Sequence, residues 1–127
     1  MKHLKLFEYF TNDESGYIAE ILKGYLTAAL WTNEELDEYT INQISESSII
    51  SAKEDIKNFL DKLEEGGLLL NLNAESIGHN FWLTRNGHGA GFWDKNLGEL
   101  GDKVSEICKE FGEKYTYVGD DKKIYIE

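Results

Sequence analysis

Proline is absent from the 127 residues, and cysteine, arginine and methionine each occur once. Without proline, every loop must be set by Gly, Asn, Asp or Ser. A single cysteine, Cys108, cannot form an internal disulfide, which favours a reducing compartment. No apolar run approaches the ~20 residues of a membrane span, and the opening MKHLKLFEYF is too short and too acidic for a signal peptide. These features predict a soluble intracellular chain in a reducing cytoplasm. Positive charge is also scarce. Lys and Arg total 13 against 24 acids, for a net charge of −11, and between Lys23 and Lys53 there is no basic side chain. Phosphate contacts need clustered Lys and Arg, so direct binding to nucleic acid or to an anionic membrane is disfavoured. A basic partner, or a protein that itself binds nucleic acid, is electrostatically easier.

What is present is sufficient for one domain over residues 1–127. Aromatics make up 13% and hydrophobic residues 41%, enough for a core without a metal or disulfide. Ile18, Ile21, Leu22, Tyr25, Leu26 and Ala29 recur at helical spacing and predict a helix from about Asp13 to Trp31, with Thr11 and Glu14 as a capping box. Thr32 and Glu35 repeat that pattern ahead of a helical turn near 33–38. SESSIISAKEDIKNFLDKLEEGG, residues 45–67, predicts a helix, with Ser51 and Glu54 as a third capping box, Ile56, Phe59, Leu60 and Leu63 as the buried stripe, and Gly66 and Gly67 ending or kinking it. LLLNL, residues 68–72, leans to helix. Phe81, Leu83 and Arg85 then alternate with Trp82, Thr84 and Asn86, the two-residue period of a strand. RNGHGAG reads as a turn and FWD as the returning strand. Leu97, Leu100, Val104, Ile107, Cys108 and Phe111 mark an amphipathic helix, and YTYVGDDKKIYIE closes as two strands joined at Gly119-Asp120-Asp121. The expected fold is α+β, with N-terminal helices on a small antiparallel sheet of ββαββ order.

Residues 78–95, GHNFWLTRNGHGAGFWDK, concentrate the unusual chemistry: four aromatics, two of the three histidines, the only arginine and four glycines. Three readings compete. As a structural hairpin, the glycines supply positive φ or close approach and the aromatics pair across the strands, with Arg85 stacked on a tryptophan or bridged to an acid. As a binding surface, Trp82, Arg85, His88, Trp93 and Asp94 are the expected contact residues, because Trp and Arg dominate interface energetics. As an enzyme or small-ligand site, Arg85, His88 and Asp94 converge on a polar pocket. No nucleophile is paired with a base at a known spacing, and Cys108 lies on a core stripe. His79, His88 and Asp94 match no zinc motif, and GHGAG lacks the Lys and the strand–loop–helix order of a phosphate loop. No metal and no cofactor are expected.

The acids of the first half, Glu14, Glu20, Glu34, Glu35, Asp37, Glu38 and Glu46, offer a negative face. It would either serve solubility or imitate a nucleic-acid backbone. A homodimer through the edge of KIYIE is a further expectation.

GHNFWLTRNGHGAGFWD, LGELGDKVSEICKEFGE and YVGDDKKIYIE together resemble a family of small bacteriophage and prophage proteins of uncharacterised function. That family shows GHDFWLTRNGHGAGFWDR, then LGELGDKLT and a closing YVGDDGKIY-like hairpin. The resemblance covers residues 78 to 126 closely, and YLTAALWT at 25–32 is similar to the family's ALW[ST]S stretch. Asn80 stands where an acid is usual and Lys95 where arginine is usual, so an activity needing that acid is not expected here. The resemblance implies a phage-borne accessory protein that binds a host or phage protein, as an inhibitor of a host defence or nucleic-acid-binding enzyme.

Overall fold

A computed structural model describes residues 12–87, 91–92 and 97–127. Its first helix, α1 (Asn12–Trp31), buries Ile18, Ile21, Tyr25, Leu26, Ala28 and Ala29, the apolar face that its periodicity predicts. Two 3-10 turns follow, Glu34–Leu36 and Ile41–Gln43. The first is capped by Asn33, whose side chain accepts from the Glu35 amide at 3.1 Å, and not by Thr32. Thr32 is drawn away: its hydroxyl donates to the Ala28 carbonyl and accepts from the Trp82 indole. The proposed Thr11 cap lies outside the described residues.

Helix α2 (Glu46–Glu65) begins a turn and a half earlier than Ser51 implies, because Ser45 caps it by accepting from the Ser48 amide. Its end is as expected and fully formed. Gly67 adopts φ +67°, the Gly67 amide donates to Glu64 O, and the Leu68 amide donates to Leu63 O at 2.8 Å. These are the two bonds of a Schellman motif, with Leu68 folding back toward the core. The chain therefore leaves the helix here. LLLNL forms neither helix nor strand, and the expected helical turn is corrected.

The larger correction follows. Residues 74–85 are a helix, α3 (Ala74–Arg85), and not the first strand of a hairpin. Asn73 caps it by accepting from the Ser76 amide at 2.8 Å. Asn86 and Gly87 end it, Gly87 at φ +75° with its amide on Thr84 O. Five consecutive residues, Phe81 to Arg85, are buried. The C-terminal half of the helix, Asn80 to Arg85, is buried all round and has no polar stripe, so it shows no clear 3.6-residue period; Glu75, Ser76 and His79 stay at the surface. The apparent alternation of Phe81, Leu83 and Arg85 was read from six residues, too few to separate the two periods.

Helix α4 (Glu99–Lys109) buries Val104 and Cys108, as its stripe predicts. Strands β1 (Thr116–Val118) and β2 (Ile124–Ile126) pair antiparallel, with Tyr117 opposite Tyr125. Among the described residues the fold is thus α+β with four α-helices and one two-stranded sheet, and the ββαββ order is not formed. The far edge of β2 is covered: the Ser45 amide donates to Ile124 O, and the Ile126 amide donates to the Ser48 hydroxyl. KIYIE is therefore not an open edge at Ile124 or Ile126.

The core is aromatic. Phe59 and Phe81 stack with ring centroids 4.3 Å apart and planes within 4°, and Phe92 and Phe111 close on them. Helices α1 and α3 cross at backbone contact. A Cβ on Gly78 would overlap the Ile21 carbonyl oxygen, and one on Gly24 the Glu75 carbonyl oxygen. The two glycines let the helices approach further than any other residue allows.

Candidate functional site

Arg85, singled out as a contact residue, is only 3% exposed and sits at the centre of the molecule. Its guanidinium makes four hydrogen bonds. Nη1 donates to the Tyr25 hydroxyl on α1 at 2.8 Å and to Asp55 Oδ2 on α2 at 2.7 Å. Nε and Nη2 donate to the carbonyls of Gly112 and Phe111, in the turn that follows α4, at 2.8 and 2.7 Å. The Phe81 and Phe111 rings flank it, 5.4 and 5.6 Å from the guanidinium carbon. One planar side chain on α3 therefore joins the other three helical segments. The expectation that Arg85 bridges an acid is met. A free fork for a carboxylate or phosphate is not available, since four of its five donors are already engaged.

Trp82 is likewise 3% exposed. Its ring stands edge-on to Tyr25, with centroids 5.3 Å apart, and its Nε1 donates to Thr32 Oγ1 at 2.9 Å. Neither Trp82 nor Arg85 is presented to a partner; both hold α3 in place. The neighbouring polar residues serve the same end. Thr84 Oγ1 accepts from the Phe92 amide at 2.9 Å, and Asn86 Oδ1 accepts from the Lys114 amide at 2.8 Å. Asn80 Nδ2 donates to Ser76 O. Gly91 packs so closely on Thr84 that a Cβ would overlap the hydroxyl. The motif is, over its described part, a packing cassette. His88, Trp93 and Asp94 lie outside the described residues.

The environment of Arg85 shows in its neighbours. Burial pushes the Tyr25 hydroxyl up to about 12, with Arg85 opposing the shift. Burial raises the Cys108 thiol far above its ordinary value, so it is a packed apolar group and a poor nucleophile. Among the described residues no group of three His, Cys, Asp or Glu side chains is arranged to hold a metal ion. No described helix is long and apolar enough to cross a membrane.

The surface offers a different aromatic. Trp31, the last residue of α1, is 65% exposed although its helix is otherwise buried along one face. Its ring lies 5.7 Å from that of His79 on α3. The two residues border a cleft of about 400 Å³ between α1 and α3, whose walls also include Thr27, Glu75 and Ser76. Gly24, Asn80 and Leu83, all buried, form its floor. The cleft exists because the glycine crossing at Gly24 and Gly78 brings the helices together and leaves their flanks diverging. Immediately after Trp31 come the exposed acids Glu34, Glu35, Asp37 and Glu38. A smaller hollow of about 320 Å³ opens beyond Thr32, with Asn33, Asn86, Lys114 and Tyr115 around Trp82.

The sequence pattern does not single out Trp31 or Glu75, and it offers His79 only as a candidate metal ligand beside His88 and Asp94. One signal existed for Trp31. It lies off the stripe formed by Ile21, Tyr25, Ala28 and Ala29, and a tryptophan outside its helix's buried face must either pack against another element or stand in water.

Comparison with family models, with curated proteins and with solved structures gives no match for this chain.

Proposed function

We propose that this chain is a small acidic accessory protein of bacteriophage origin that acts in the bacterial cytoplasm by binding a host or phage protein. Inhibition of a host defence or nucleic-acid-binding enzyme is the form that such binding takes. The phage origin rests on the resemblance of residues 78–126, and the mode of action rests on the surface.

The observation that carries the reading is the exposed indole of Trp31, which lies within the longest run of the chain without Lys or Arg, residues 24–52. Tryptophan is among the residues most enriched where binding energy concentrates. Along the chain, residues 24–52 contain Glu34, Glu35, Asp37, Glu38 and Glu46 and no Lys or Arg, and the first four acids are exposed just after Trp31. An aromatic anchor within an anionic surround suits a basic protein surface and repels nucleic acid itself. The alternative of an enzyme or small-ligand site at Arg85, His88 and Asp94 loses support, because Arg85 is enclosed and its donors are committed.

Affinity capture from a bacterial lysate at low and at high salt tests the reading, with wild type beside Trp31→Ala. Trp31 is exposed, so the variant keeps the fold. A protein retained by wild type, lost by the variant and weakened by salt is the expected result. Failure of any protein to be retained specifically at either salt concentration overturns it.

A further inference from the structure

We propose that the cleft between α1 and α3 receives a cationic side chain, a guanidinium or ammonium, from a basic segment of the partner protein. The Trp31 ring is its stacking wall and the Glu75 carboxylate its counter-charge. This assignment rests on the protein-binding reading above and names the chemistry of the occupant.

Three observations carry it. Most of the Trp31 ring surface faces solvent while one side rests near His79, so the ring is steadied yet still available. An aromatic face attracts a cation, and tryptophan does so best. Glu75, exposed in the first turn of α3, is the only Asp, Glu, Lys or Arg among the described residues lining the cleft. The floor is small and largely neutral, with Gly24, Asn80 and Leu83 leaving room for an alkyl stem beneath a charged head.

Charge decides between this cleft and the other exposed aromatic surface. On the hairpin, Tyr115 and Tyr125 donate to Glu113 and Asp121 at 2.8 and 2.6 Å, and Tyr117 stacks on Tyr125. That surface also attracts cations in principle, but Lys114, Lys122 and Lys123 stand among its four acids. The residues lining the cleft include no Lys or Arg, and residues 24–52 carry five acids and no Lys or Arg; Lys114 borders the separate hollow beyond Thr32. The complementarity to a basic segment is therefore greater at the cleft.

The test titrates the whole protein with a capped Arg-Gly-Arg-Gly-Arg peptide, and with the same peptide carrying citrulline, the neutral isostere, in place of arginine. Amide and indole NMR shifts report the site. Shifts are expected at Thr27, Trp31, Glu75, Ser76 and His79 with the arginine peptide and not with the citrulline one. Trp31→Ala and Glu75→Gln should each weaken binding by roughly three- to tenfold, the range of one cation–π contact or one partly screened ion pair. Equal binding of the citrulline peptide overturns the proposal, as does binding unchanged in both variants. Shifts centred on Tyr117 and Tyr125, lost in Tyr117→Leu, overturn it in favour of the hairpin. Protein capture that survives Trp31→Ala and Glu75→Gln also removes the cleft while leaving the protein-binding reading intact. Capture of nothing removes that reading independently of the peptide result.

Discussion

Arg85 Nη1 stands 2.7 Å from Asp55 Oδ2, and the same nitrogen lies 2.8 Å from the Tyr25 hydroxyl. The arginine side chain is almost entirely enclosed, whereas the aspartate keeps 23% of its side-chain surface in solvent. The pair is therefore asymmetric. The guanidinium depends wholly on protein partners, while the carboxylate retains some hydration. Two further bonds reach the Phe111 and Gly112 carbonyls past the end of α4, where the helix leaves its last carbonyls facing outward and its dipole favours positive charge.

Truncation of this arginine should unfold the molecule or nearly so. Arg85→Ala leaves Asp55 without its charge partner and two carbonyls without donors, and loss of one member of a buried pair costs about 3–5 kcal/mol. Arg85→Lys keeps the charge but not the planar fork, so it should recover less than half of that loss. Asp55→Asn should cost less than Arg85→Ala, because the carboxylate is partly hydrated. Urea denaturation followed by tryptophan fluorescence measures all three. An Arg85→Ala loss below about 1 kcal/mol would contradict the central role of the fork.

The glycine crossing gives a sharper steric test. Gly78→Ala sets a methyl group into the Ile21 carbonyl, and Gly24→Ala sets one into the Glu75 carbonyl. Backbone cannot move aside as a flexible side chain does, so α1 and α3 must separate, at a cost of about 1–3 kcal/mol or more. Gly16→Ala is the control, since nothing lies within 4 Å of a Cβ there. On a helix that change should stabilise by up to about 1 kcal/mol. Thermal melts of the three variants should therefore move in opposite directions, and a Gly78→Ala melt equal to wild type would disprove the close crossing.

Alkaline pH should weaken the fold. Burial raises Tyr25 from the ordinary 10.0 to about 12, so the folded state holds its proton more tightly than the unfolded chain does. The stability due to this group is fully present below pH 10 and is lost as pH rises from 10 toward 12, at up to about 1.4 kcal/mol per pH unit. Cys108, also raised by burial, adds a loss of the same sign that begins near its ordinary 9.0. Urea midpoints measured from pH 7 to pH 11 should hold level and then fall above about pH 9. Cys108→Ala should delay the onset of the fall, and a midpoint that rises across pH 9 to 11 would refute the assignment.

Much of this architecture was legible in the linear pattern. The stripes of α1, α2 and α4 are one-sided, so their periodicity marks both the helix and its buried face. Gly66-Gly67 announces the Schellman end of α2, because only glycine takes positive φ there without strain. The closing strands follow from alternation in IYI, whose Ile124 and Ile126 face inward while Tyr125 faces out. Helix α3 hid its type because its C-terminal half, Asn80 to Arg85, is buried on all sides. Its ends were nevertheless written plainly: Asn73 before Glu75 at the start, and Arg85-Asn86-Gly87 at the stop.

Local sequence by itself determined three of the four helices, the terminal hairpin, the negative charge and the absence of basic residues from 24–52, since each depends only on residue type and spacing. Tertiary structure decided which aromatics are core and which are surface. The sequence motif favours Trp82 over Trp31 as a binding residue, yet Trp82 donates to Thr32 inside the molecule and Trp31 stands in solvent. That difference arises from where α3 crosses α1, which Gly24 fixes against Glu75 and Gly78 against Ile21, residues more than 50 positions apart in the chain. Arg85 followed the same rule: its partners Tyr25, Asp55, Phe111 and Gly112 are distant in sequence, and only folding brings their oxygens within reach of one guanidinium.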